Sequence, residues 1–119
     1  MESFPILTPE GAVKNYRIAP SLLAILKPLP VQHDRYFAIG PTAVLLPVAD
    51  LVFSRARPEG IVNANVLMME AAAGKCSPRA PIRARGLADG RWQVVDGNST
   101  AINALFSRWP DIPANVEHA

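Results

Sequence analysis

The chain has 119 residues, half of them apolar. It is one domain's worth of sequence, long enough to bury a modest core without metal or disulfide staples. Twelve Lys and Arg against ten Asp and Glu leave a formal net charge of +2, too small to announce a nucleic-acid binder by itself. A single cysteine, Cys76, excludes an internal disulfide, no apolar run approaches the roughly 18 residues that span a bilayer, and "MESFPILTPEG" lacks the basic-then-apolar plan of a secretory leader, so a soluble cytoplasmic protein with no membrane partner is expected.

Seven of the twelve prolines precede residue 48, which marks residues 1–42 as an irregular N-terminal extension. Within it, "PSLLAILKPLP" offers one short helix, opened by Pro20 and closed by Pro28, and "HDRYFAIG" reads as an extended segment. From residue 43 the pattern sharpens. "AVLLPVADLVF" reads as a strand whose Pro47 places it, or its end, at a sheet edge. After the charged loop "SRARPEG", the stretch "PEGIVNANVLMMEAAAGK" has Pro58 and Glu59 at a helix start and Gly74 where a C-terminal cap belongs, with Met68 and Met69 as core filler. "SPRAPIRARG" alternates Ile82 and Ala84 with Arg83 and Arg85, and the "LADG" turn sends "RWQVVDG" back as the second arm of a hairpin. A last helix from about Asn98 to Arg108 carries Ala101, Ile102, Leu105, Phe106 and Trp109 on one face, and "IPANVEH" follows as a closing strand.

Charge is uneven along this order. Between Arg55 and Arg91, seven basic residues (Arg55, Arg57, Lys75, Arg79, Arg83, Arg85, Arg91) stand against three acidic ones (Glu59, Glu70, Asp89), so this segment is the one suited to face an anion. The junction "VVDGNSTAIN" supplies a place for it. Gly97 lets a ligand approach the main chain, Asn98 suits an N-cap, and the N–H groups of Ser99, Thr100 and Ala101 then lack partners within the helix. Free donors at the positive end of a helix favour phosphate, and the Ser99 and Thr100 hydroxyls add to them. A tight Asp-Gly turn with Asn98 capping its own helix is the competing reading.

The order of these features resembles the ParB/sulfiredoxin superfamily across about residues 44 to 117. The matching features are the strand ending in an Arg loop (Arg55, Arg57), the helix ending at Gly74, the Pro81-Ile82 strand, the Asp96-Gly97-Asn98-Ser99-Thr100 turn and the Ile112-Pro113 strand. The resemblance implies an α+β fold with a small mixed sheet and helices packed on it, spanning residues 43–119. It further implies a nucleotide site, for ATP or another nucleotide with Mg²⁺ or Mn²⁺, built from Gly97, Asn98, Ser99 and Thr100 with Arg55 and Arg57. Family activities include phosphoryl transfer, NTP hydrolysis in plasmid and DNA partition, and nuclease cleavage, and the fold alone does not choose among them.

Departures narrow the choice. Sulfiredoxins carry Cys-His-Arg where this chain has Asn98, Ser99 and Thr100, so no sulfinic acid reductase is expected; partition proteins carry two arginines at the turn and a downstream helix-turn-helix domain, so no segregation clamp is expected. The favoured expectation is a ParB-like nuclease or NTPase acting near DNA, with Glu59 or Asp96 orienting the water, Asp96 holding the metal, and Arg79, Arg83 and Arg85 facing DNA. Two alternatives stand beside it: an inactive interaction module or inhibitor, with a protein partner on the N-terminal extension, and a small-molecule kinase using Glu59. Glu59 as a helix-start charge, Asn63 and Glu70 as a solvated stripe, Trp92 as a buried side chain rather than a base-stacking one, and Cys76 as a passive thiol are the plain readings of those residues. His33 and His118 show no metal-site spacing.

Overall fold

The computed structural model describes residues 2–54 and 57–117. Seven strands form one mixed sheet in the order β2-β1-β4-β6-β5-β7-β3. They are β1 (Ser3–Leu7), β2 (Val13–Arg17), β3 (Val44–Pro47), β4 (Leu51–Phe53), β5 (Ile82–Gly86), β6 (Trp92–Asp96) and β7 (Asp111–Glu117). Among the described residues four α-helices accompany them: α1 (Pro20–Ile25), α2 (His33–Tyr36), α3 (Pro58–Ala72) and α4 (Asn98–Phe106). The mixed α+β class expected from the sequence is thus observed.

The anticipated hairpin is β5 against β6, antiparallel, with Arg85 opposite Gln93 and Gly86 opposite Trp92. Its two-residue alternation holds, since Ile82 and Ala84 are buried while Arg83 and Arg85 are exposed. Helix α3 starts at Pro58 and ends just before Gly74, whose φ of 77° lets the chain turn out of the helix. Met68 is fully buried, whereas Met69 is 41% exposed and is not core filler. The closing strand β7 pairs in parallel with β5 and antiparallel with β3.

Other expectations are corrected. The run "AVLLPVADLVF" is not one strand: Pro47 ends β3 at the sheet edge, a 3-10 turn over Val48–Asp50 carries the chain across, and β4 then lies between β1 and β6. The turn packs into the core (Val48 is 3% exposed) and β4 is wholly buried, whereas in β3 Leu46 alone is buried and the apolar Val44 and Leu45 are exposed at the sheet edge. Residues 2–42 are also not irregular. Strands β1 and β2 form an antiparallel hairpin, and β1 joins the sheet in parallel through Ile6 opposite Phe53. Phe4 sits in the same core, 5.5 Å from Phe53 and 6.2 Å from Phe106 between ring centroids.

"HDRYFAIG" begins as a helical turn rather than an extended segment, for a reason visible in the packing. His33, Tyr36 and Phe37 must all reach one indole, and a turn followed by an extended residue puts their rings 5.2, 5.2 and 6.2 Å from that of Trp109. The indole Nε1–H donates to the Leu29 carbonyl at 2.7 Å. Trp109 is therefore the point at which the first third of the chain locks onto the last. Trp109→Ala is expected to destabilise the fold by about 3–5 kcal/mol. Trp109→Phe, which keeps a ring but strands the Leu29 carbonyl, should cost about 1–3 kcal/mol. Urea unfolding of the two variants checks the ranking.

Candidate phosphate site at the start of two helices

Strands β4 and β6 run in parallel side by side, with Phe53 opposite Val94, and each leads into the start of a helix. The corner after β6 is Gly97, at φ 89° and ψ 25°. A Cβ there would lie 2.8 Å from Cγ2 of Ile82, so both the left-handed backbone and the lack of space require glycine. Gly97, not Asn98, occupies the N-cap position of α4. Asn98 is the first helical residue, and its side chain turns back to tie strand ends: Oδ1 accepts from the Ser54 N–H at 3.0 Å and Nδ2 donates to the Val94 carbonyl at 3.2 Å.

The set of free donors shifts by one accordingly. Ala101 N–H, expected to be free, donates to the Gly97 carbonyl at 2.9 Å. The N–H groups of Asn98, Ser99 and Thr100 meet no acceptor among the described residues. They border a pocket of about 620 Å³ lined by Ser54, Arg57, Gly60, Arg79, Val95, Asp96 and Gly97–Thr100. The start of α3 reaches the same place, because a Cβ on Gly60 would be 3.1 Å from Ser99 Oγ. Two helix N-termini thus converge on one hollow, and both favour negative charge there.

Not every residue singled out from the sequence is brought together. Arg57 is exposed and lines the pocket, as does the exposed Asp96. Arg55 and His118 lie outside the described residues. Glu59 is exposed in the first turn of α3 and is not among the lining side chains, a position that suits compensation of the helix dipole. Asn63 is exposed beside it, Trp92 is half-buried against the core, and Cys76 is exposed with Sγ 3.7 Å from the Leu67 carbonyl.

The arginines of the basic segment divide. Arg79 lines the pocket, and its Nη1 is buried with no hydrogen-bond partner among the described residues. Arg83 and Arg85 both hydrogen-bond to Glu117 on β7, the first through Nε at 3.1 Å and the second through Nη2 at 3.3 Å. Hydrogen bonding from Arg83 holds the Glu117 carboxyl below its ordinary value, and the same bond raises the Arg83 guanidinium. One carboxylate so offsets one of the two charges that Arg83 and Arg85 bring to the face expected to meet DNA.

Two buried amides went unread in the sequence. Asn103, 1% exposed in the middle of α4, donates both Nδ2 protons, to Ile61 O at 3.0 Å and Ser99 O at 2.9 Å. Its Oδ1 accepts from Asn65 Nδ2 at 2.9 Å. A polar residue at the centre of an apolar helix face was the available signal, since such a position survives burial only when fully bonded.

A Mg²⁺ or Mn²⁺ ion would find one carboxylate on the pocket wall, Asp96, and no group of three or more His, Cys, Asp or Glu side chains suited to a metal occurs among the described residues. That donor set fits an ion held mainly by substrate phosphates and water, with Asp96 as an added ligand. No helix among the described residues is long and apolar enough to cross a membrane. No protein-family model matches the chain, and no curated protein matches it.

Gly97→Ala forces a left-handed alanine against Ile82 and is expected to cost at least about 1–2 kcal/mol in urea unfolding. For Glu117, folding lowers the carboxyl pKa, so its pairing contributes in full above the ordinary glutamate value, about 4.3, and fades as pH falls through the lowered one. Glu117→Gln should therefore lower Tm at neutral pH, and the difference from wild type should shrink towards zero as the solution is acidified past that range.

Proposed function

We propose that the pocket holds the phosphate groups of a nucleotide and that the domain is a small ParB-like phosphoester-processing enzyme, an NTPase in the first instance. The observation that carries this reading is Arg79, which shares the pocket wall with the residues that open α4 and whose buried Nη1 has no hydrogen-bond partner among the described residues. Leaving a charged donor unbonded in a protein is costly, and an anion between it and the helix start removes that cost. In this reading the N–H groups of Asn98, Ser99 and Thr100 cradle phosphate oxygens, the Ser99 hydroxyl adds a bond, and Arg57 and Arg79 offset charge. Asp96 would help hold Mg²⁺ or Mn²⁺ and would accept a hydrogen bond from the attacking water. The ion, when bound, supplies further neutralisation of the phosphates.

Nucleotide is favoured over duplex DNA as the ligand, because Arg83 and Arg85 are engaged by Glu117 while Arg79 is not engaged. A second reading, a nucleotide-binding module without turnover, is favoured by one fact: with Glu59 off the wall, Asp96 is the one carboxylate lining the pocket among the described residues. Calorimetric titration with ATP, CTP and ADP in the presence of Mg²⁺ separates the cases. Binding by wild type, weakened about 10- to 150-fold in Arg79→Met, is expected from the loss of a charge-assisted bond. Phosphate release that disappears in Asp96→Asn while binding persists supports the enzyme. Binding without release supports the module, and no binding of any nucleotide or of inorganic phosphate sinks both.

A further inference from the structure

Arg79 does not belong to a helix or strand; it lies in the connection between α3 and β5. What fixes its backbone comes from the other end of the chain. Its N–H donates to the Tyr36 carbonyl and its own carbonyl accepts the Ala38 N–H, both at 2.8 Å, so that Phe37 and Arg79 form an isolated parallel bridge. The donating segment is itself pinned. Tyr36 and Phe37 are each 1% exposed against Trp109, and His33 Nε2 lies 2.6 Å from Asp111 Oδ1 on β7.

We propose that the segment His33–Ala38 positions Arg79 for an anion, and that docking of this segment and occupancy of the pocket by a phosphate-bearing ligand are coupled through that arginine. The proposal rests on the reading of the pocket as a phosphate site. If the segment undocks, the Arg79 backbone loses both of its bonds and its guanidinium loses its place beside the start of α4. A ligand that engages Arg79 therefore binds the docked state better than the undocked one, and by reciprocity it holds the segment down. Tyr36, Phe37 and Ala38 are positioning residues in this scheme, because they act on the ligand through Arg79.

Amide exchange followed by NMR, with ATP and inorganic phosphate as probes, tests the coupling on the intact chain. At ligand concentrations 100 times Kd, exchange of the Ala38 and Arg79 amides is expected to slow by up to about 100-fold, and more than that of amides in the β1–β2 hairpin. Titration of the same sample shows whether the probes bind at all; if neither does, the phosphate reading fails and the coupling fails with it. If a probe binds and the Ala38 and Arg79 amides respond no more than the hairpin, the coupling is overturned and the site stands. His33→Leu, a change outside the pocket that removes the contact with Asp111, is expected to weaken ATP binding several-fold with the circular dichroism spectrum retained. Unchanged affinity in that folded variant would also overturn the proposal.

Discussion

The side chain of Ile82 presses so closely on the corner after β6 that a single added carbon at Gly97 would stand 2.8 Å from its Cγ2 methyl. Everything about the pocket depends on that contact. Because the corner must be glycine, it can turn through the left-handed region and pass from strand to helix without an intervening loop. Because it does so, the first three N–H groups of α4 emerge at the end of β6, beside the end of β4. Ser54 reinforces the alignment, donating through Oγ to the Val94 carbonyl at 2.8 Å and accepting from Gln93 Nε2 at 3.2 Å. The hollow is a consequence of two parallel strands ending together, each followed by the positive end of a helix.

Convergence of two helix starts is electrostatically unfavourable until something negative lies between them, so the fold must hold them together by other means. The Asn65–Asn103 pair provides one. Asn103 bonds the Ile61 carbonyl of α3 and the Ser99 carbonyl of α4 with the same amide, while Asn65 Nδ2 donates to Asn103 and to the Lys27 carbonyl at 2.9 Å. Every amide proton of the two side chains is used. Amides suit this place better than a charged pair would, because a neutral group carries a far smaller desolvation penalty when fully bonded.

Elements with a strong burial period were legible from the sequence. Helix α3 announced itself by Pro58 and Gly74, the β5–β6 hairpin by its alternation and Gly90, and α4 by its apolar stripe. The β1–β2 hairpin was not legible, since all five residues of β2 are exposed and an unburied edge strand has no period to read. The split between β3 and β4 was hidden because an edge strand that leaves Val44 and Leu45 exposed, a 3-10 turn and a buried central strand are all written in apolar residues and therefore look alike in one dimension. At the site the sequence points to Gly97 and to unbonded N–H groups behind it, but the cap and that set of donors both fall one residue earlier than Asn98 suggests. A good capping side chain at Asn98 could not reveal that the geometry it caps had already been taken by the glycine before it. Arg79 was grouped with Arg83 and Arg85 by proximity in sequence, and only the bridge to Phe37 separates it from them.

That separation changes what the basic segment means. In one dimension it is an excess of seven cations over three anions from Arg55 to Arg91, the kind of density a polyanion would read. In three dimensions part of that charge is paired, and Glu117, from outside the segment, lowers the excess of four by one. Arg83 and Arg85 share Glu117, and Arg91 Nε donates to the Asp89 carboxylate at 2.7 Å, a bond that also raises the guanidinium and lowers the carboxyl. These pairs are exposed, so each is worth little to stability, yet each cancels a charge that a phosphate backbone would otherwise count. On the pocket wall stand Arg57 and Arg79, with Asp96 as their counterweight. A small positive surplus backed by unbonded main-chain donors matches a compact anion, whose charge is concentrated within one hydrogen-bonding shell, far better than it matches charges strung along a duplex.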